Sequence, residues 1–208
     1  MADPKNIRIL REAEVLFAEK GFDGTSIRDI ATAAEANVSM ISYYFGSKEA
    51  LMKEIIRERI HESVRLLNEV MADETTTPVE KIEAFVGRFI EHKIQNVCFT
   101  RILMTEQTMK RNEDFVEIIT ELRTTMARHL ETLLKLAAQK GHIRKNIDVV
   151  LLTSTLIGTV NALVGNRDFY KSYHKISGTA EATFNEDYNQ TILQHTQSLL
   201  KYLLLHEK

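Results

Sequence analysis

The chain has 208 residues, 44% of them hydrophobic and 27% charged, the balance of an ordinary globular protein. Lys and Arg number 27 against 29 Asp and Glu, a net charge of −2, so bulk charge does not favour nucleic acid and any basic surface has to be local. A single cysteine, Cys98, excludes an internal disulfide framework and fits a reducing cytoplasm; Met1-Ala-Asp-Pro-Lys5 begins no signal peptide, and no stretch nears the roughly 18 apolar residues that span a bilayer.

Helical periodicity runs through most of the sequence, and strand alternation is absent. Residues 5–20 put Ile9, Leu10, Ala13, Leu16 and Phe17 on one face, with Gly21 where a helix would end. A second helix follows Thr25-Ser26, where Ser26 and Asp29 form a capping pair, and it ends near Ala34. Glu35-Ala36-Asn37 then turns the chain into a third short helix over 38–44, stopped by Gly46. Ser47 is the N-cap of a fourth helix reaching about Met71.

Thr77-Pro78-Val79-Glu80 combines a capping box with proline at the first helical position and opens a fifth helix. Further helices are predicted over 99–109, from Asn112 to Lys140, from Ile147 to Asn166 and from Glu186 to His206, with 167–185 a surface loop. The expected fold is all-α with about nine helices: a three-helix domain over 1–47 and a helical body over 48–208.

The stretch NVSMISYYFGSK, residues 37–48, carries the clearest chemistry. At 100° per residue Val38, Ile41 and Phe45 share a side that can pack on Ile27, Ile30 and Ala31. Ser39, Met40 and Tyr43 point away, with Tyr44 at the border. Short helix, three-residue turn and short helix is the plan of a helix-turn-helix, whose second helix enters the major groove. Residues 36–48 contain no acid, Arg28 lies one helix earlier, and the helix N-termini at Thr25-Ser26 and Ser47-Lys48 offer N–H groups to phosphates.

Residues 21–52, GFDGTSIRDIATAAEANVSMISYYFGSKEALM, resemble the DNA-binding domain of the TetR family of bacterial transcriptional regulators. Gly21-Phe22, Thr25, Ile30-Ala31, Ala34, Val38-Ser39, Ile41, Tyr43-Tyr44-Phe45, Lys48 and Leu51 carry the likeness, and KGHIRKNID at 140–148 resembles the family's link into its eighth helix. Two positions depart from the pattern. Glu35 replaces the glycine of the family's Ala-Gly-Val turn, at about 1 kcal/mol if the backbone there is left-handed, and Ser42 stands where many members have tyrosine. The resemblance implies Arg28, Ser39 and Met40 near base edges, with Thr25, Tyr43, Tyr44 and Lys48 on phosphates.

In the body, Ser154, Gly158, Ala162 and Gly165 form a small-residue row, and Ile192, Thr196, Leu199 and Leu203 form an apolar stripe. Either pattern can serve packing within one chain; the resemblance implies a homodimer through a four-helix bundle of these helices, and hence a pseudo-palindromic operator. Phe85, Phe89, His92, Cys98, Phe99, Met104, Met126 and Thr155 are candidate lining for an effector cavity, although such residues more often form ordinary core. Cys98 reads as a buried thiol, with redox sensing as the alternative.

The seven histidines have no metal-binding spacing, and His61-Glu62 is not followed by the second histidine of a zinc motif. Phosphate loop and nucleophile–base set are lacking as well, so no catalytic residue, cofactor or metal is expected. The expected function is a one-component repressor that binds double-stranded DNA as a dimer and is released by a small-molecule effector, with no membrane partner. An activator, a regulator answering to a protein partner, and a helical enzyme or carrier with a vestigial head are the alternatives.

Overall fold

A computed structural model describes residues 5–109 and 113–205. Its helices are α1 (Lys5–Lys20), α2 (Ile27–Ala33), α3 (Val38–Phe45), α4 (Lys48–Ala72), α5 (Pro78–Gln95), α6 (Val97–Met109), α7 (Glu113–Gln139), α8 (Val149–Gly165), α9 (Arg167–Tyr173) and α10 (Glu181–Leu204). The fold is all-α, with ten helices among the described residues. The expected limits at Asn112 and His206, and residues 1–4, lie outside the described residues. No single described helix is long and apolar enough to cross a membrane; α8 and α9 pass that test only as a pair, bent by 64°.

The described residues of 1–62 and 96–120 pack as one compact unit, and those of 63–95 and 121–205 as a second. In the first, α1 contributes Ile9, Ala13 and Phe17, spaced four apart and therefore on one face. Ile30, Ile41, Leu51, Ile55, Phe99 and Phe115 complete that core. Each fully buried side chain of this size contributes about 1.5–3 kcal/mol relative to exposure. The helix-turn-helix therefore rests on α6 and the start of α7 as well as on α1. A half-buried ion pair reinforces it: Arg59 Nη2 lies 2.9 Å from the Glu14 carboxylate, and Arg59 Nη1 lies 3.1 Å from that of Glu62.

In the second unit α10 packs against α5 and α8. Ile82, Ile90, Leu130, Ala137, Val160 and Ile192 are all nearly inaccessible there. The expected capping box forms, with Thr77 N–H donating to Glu80 (2.7 Å) and Glu80 N–H to the Thr77 hydroxyl (3.3 Å). Asp148 caps α8 by accepting from the N–H groups of Val150 (2.8 Å) and Leu151 (3.0 Å).

One expectation fails here. The predicted loop over 167–185 contains α9, and α10 starts at Glu181 rather than Glu186. The cause is tertiary. Arg167 bonds Asn185 and Glu181 and lies 5.0 Å over the Phe184 ring, Lys171 pairs with Glu181 at 2.7 Å, and Tyr170 meets Tyr188 at 4.7 Å. None of these contacts has a sequence period to announce it.

Candidate nucleic-acid interface

Ser26 caps α2 reciprocally. Its N–H donates to Asp29 Oδ2 (2.9 Å), while Asp29 N–H donates to Ser26 Oγ (3.1 Å). The Ser26 hydroxyl, with its backbone N–H next, holds the Asp29 carboxyl below its usual range. After Ala34, Glu35 is left-handed at φ 47°. The N–H of Ala36 reaches Ala31 O at 2.9 Å and that of Glu35 reaches Thr32 O at 3.2 Å, the paired bonds of a Schellman ending. The turn thus takes the conformation in which glycine is favoured, with glutamate in place; Glu35 also pairs with Arg8 at 2.9 Å across open surface.

Asn37 then starts α3, and Gly46, at φ 79°, ends it by donating its N–H to Ser42 O at 2.9 Å. Ile41 is 1% exposed and anchors α3 on the core, whereas Tyr43 is 84% exposed. The Tyr43 ring leans edge-on against Tyr44 at 5.3 Å, so the two stand as a pair above the helix. Ser39 and Arg28 are exposed and Met40 is half-buried. Ser39, Met40, Tyr43 and Tyr44 form an outward, acid-free face of α3, and Arg28 is exposed on α2. Val38, expected on the core side, is 44% exposed, because it opens α3 beyond the reach of α2's apolar side.

Two of the expected phosphate contacts are committed elsewhere. Thr25 is 1% exposed, and its hydroxyl donates to the carbonyls of Leu16 (3.1 Å) and Gly21 (2.9 Å). Its side chain closes the α1–α2 loop and is not available to a phosphate. Lys48 Nζ donates to Phe22 O (2.8 Å) and Thr25 O (3.0 Å) and sits 4.3 Å over the Phe22 ring. The sequence places both residues correctly at the head, but as ties that fix the α2 N-terminus.

The expected effector lining divides between the units. Cys98, Phe99 and Met104 belong to the first, where Phe99 is 6% exposed in the head core and Met104 is open to solvent. Burial, with Glu14 next, raises the Cys98 thiol above its ordinary range, which disfavours the thiolate a redox sensor needs. Phe85, Phe89, His92 and Met126 lie in the second unit, with Phe85 and Phe89 stacked at 6.2 Å. Thr155 is exposed and bonds Leu151 O, so it does not line an interior.

Two residues of that unit were missed from sequence. Lys93 Nζ lies 5.9 Å over the Phe89 ring, and burial, with Arg123 next, lowers its pKa to about 8. Asn161 Oδ1 is buried without a hydrogen-bond partner. A lysine between His92 and Ile94 in a helical sequence gives no sign of its burial, and an asparagine next to a small-residue row reads as surface. Perturbed and unsatisfied groups of this kind gather at ligand sites more often than elsewhere.

On α8, Ser154, Gly158, Ala162 and Gly165 are exposed, beside Val150 (61%) and Leu151 (68%). The expected α10 stripe faces inward instead. Ile192 and Thr196 are buried, and Leu199 and Leu203 pack on the unit's own core. Gln194, His195, Ser198 and Tyr202 form the outer face of α10. Among the described residues no group of three or more His, Cys, Asp or Glu is placed to hold a metal.

A reversing turn that presents an uncovered aromatic pair on a short second helix defines a helix-turn-helix protein. Residues 9–55 match the description "Bacterial regulatory proteins, tetR family", and residues 78–196 match "Tetracyclin repressor-like, C-terminal domain". The chain belongs to the TetR family of bacterial regulators. It is 28% identical over 135 residues to the "Probable HTH-type transcriptional regulator YttP" of Bacillus subtilis, covering 64% of this chain and 63% of that one. It is 32% identical over 105 residues to the HTH-type transcriptional repressor NicS of Pseudomonas putida, covering 50% and 49%. Both matches thus span less than two thirds of the relative. The structure of the ketosteroid transcriptional regulator KstR2 of Mycobacterium tuberculosis superposes with a TM-score of 0.72 at 18% identity, over 100% of this chain and 98% of that one.

Proposed function

We propose that the protein is a ligand-responsive transcriptional repressor that binds a pseudo-palindromic operator as a homodimer and releases it when a small molecule binds the body. Residues 1–47 are assigned to DNA binding, and 48–208 to effector binding and dimerisation. The observation that carries the reading is the acid-free face of α3, where Tyr43 is 84% exposed beside Ser39 and Met40. Arg28 and Ser39 supply base-edge donors, Met40 an apolar contact for a thymine methyl, and Tyr43 and Tyr44 the phosphate contacts that set register. The similarity to NicS, named as a repressor, favours repression over activation. Phe85, Phe89 and Met126, with Lys93 and Asn161, are the body residues assigned to the effector. An effector releases DNA only if it binds the released state more tightly than the operator-bound one.

The test is a gel shift with the DNA flanking the protein's own gene at roughly 50 mM salt. The wild-type chain gives a discrete complex, and Tyr43→Ala weakens it by about tenfold, the loss of one hydrogen bond to a charged phosphate at about 1.5 kcal/mol. No discrete complex with any flanking fragment would overturn the proposal.

A further inference from the structure

The second unit carries a groove that neither the α3 face nor the assigned effector residues explain. It encloses about 480 Å³ between the C-terminal half of α7 and the loop before α8, a volume suited to a small molecule. Leu134, Ala138 and Ile147 give it an apolar floor, and Lys135, Arg144 and Lys145 ring it with three cations against one acid, Glu131. Glu131 is held by Lys135 at 2.7 Å, which leaves Arg144 and Lys145 as the positive charges facing the groove. Asp148, next along the chain, is occupied in capping α8.

Arg144 is the most informative of these. Its Nε is buried and has no hydrogen-bond partner. A guanidinium N–H withdrawn from water without an acceptor is costly; because Nε itself has no exposed surface, it is the terminal nitrogens of the same guanidinium that an oxyanion in the groove pairs with. The loop that presents it is fixed at both ends. Gly141, at φ 73°, closes α7 with His142 N–H on Ala137 O (3.1 Å), and Arg144 N–H donates to Leu204 O (3.0 Å) at the end of α10. Asn146 is left-handed at φ 60°, which turns the chain sharply between Lys145 and Ile147.

We propose that this groove is a binding site for a soluble small molecule that carries a phosphate group and an apolar portion. The phosphate lies against Arg144 and Lys145, and the apolar portion covers Leu134, Ala138 and Ile147. The site shares no residue with the operator face or with the effector residues assigned above.

The test follows backbone amides of the full chain by NMR during titration with hexyl phosphate, inorganic phosphate, hexanoate and hexanol. Hexyl phosphate shifts the amides of 134–147 and binds about tenfold or more tightly than any of the other three: inorganic phosphate and hexanol each fill one half of the groove, and hexanoate brings a single negative charge and two oxygens to two cations. Arg144→Ala with Lys145→Ala weakens it at least about tenfold. Ala138→Leu, which fills the floor and keeps every cation, also weakens it, and guards against a double variant that loses its fold. Unmoved amides at 134–147, equal binding by the variants and the wild type, or hexanoate binding as tightly as hexyl phosphate would each overturn the proposal. Co-sedimentation with phosphatidic-acid vesicles, abolished by the double variant, would overturn it in favour of a membrane surface.

Discussion

Glu35 shows how much one side chain can disclose. Its φ of 47° belongs to the region that costs a residue with a Cβ about 1–2 kcal/mol, and its partner Arg8 lies across open surface where a pair returns little. Glu35→Gly is therefore expected to stabilise the head by about 0.5–1 kcal/mol. Slower amide exchange at Ile30 and Ile41 would show it, and faster exchange there would refute it. Lys48 makes the complementary case. Lys48→Met removes two charged hydrogen bonds to carbonyls and a contact with the Phe22 ring. The head should lose about 2 kcal/mol, read by the same exchange. With Nζ committed to the protein's own backbone, the salt dependence of operator binding by the folded fraction stays unchanged; a slope reduced by about one would return Lys48 to the phosphates.

Among elements, those whose purpose is written in their own period were legible. α1, α5 and α7 follow their apolar spacing, and the caps at Ser26, Ser47 and Thr77 form as residue type dictates. What sequence could not supply was the identity of the neighbour. The stripe Ile192–Thr196–Leu199–Leu203 has the same period whether it faces a partner's helix or its own α5 and α8, and it faces its own. Phe99 likewise reads as pocket lining until α6 is seen against α1. The outward face of α3 was legible because Ile41 and Phe45 share one side of the helix and leave Tyr43 on the other. Lys93 escaped notice because burial of a cation leaves no pattern.

That lysine has a consequence for α5. Its pKa is lowered to about 8 in the folded chain, chiefly by burial, whereas an unfolded lysine titrates near 10.4. Between those values the unfolded state binds more protons, so this group makes stability rise with pH across about 8 to 10.4. Below about 8 its full cost remains, at most about 3 kcal/mol. Lys93→Met should flatten the rise above pH 8, as denaturant titrations at pH 7, 8, 9 and 10 would measure. An unaltered pH dependence in the variant would mean that Lys93 is not the buried cation of the native state.

For the whole molecule, the proposed dimer is best argued from what α8 leaves unused. A Cβ built on Gly158 or Gly165 meets nothing within 4 Å, so the chain's own packing does not require glycine at either place. A mid-helix glycine costs about 0.5–1 kcal/mol relative to alanine, and the exposed row continues through Ser154 and Ala162 beside the open side chains of Val150 and Leu151. Small residues in such a row let a second helix approach closely. The outer face of α10, with Gln194, His195, Ser198 and Tyr202, supplies the polar remainder of a two-fold seam. Gly158→Glu tests this arrangement without disturbing the subunit, because the new side chain points into open space. The wild type should sediment at twice the chain's 23.9 kDa and the variant at that mass itself, with helicity unchanged. Operator affinity should fall with the dimer, since one head alone reads one half-site. A variant that stayed dimeric would move the seam off α8, and with it the two-fold spacing expected of the operator.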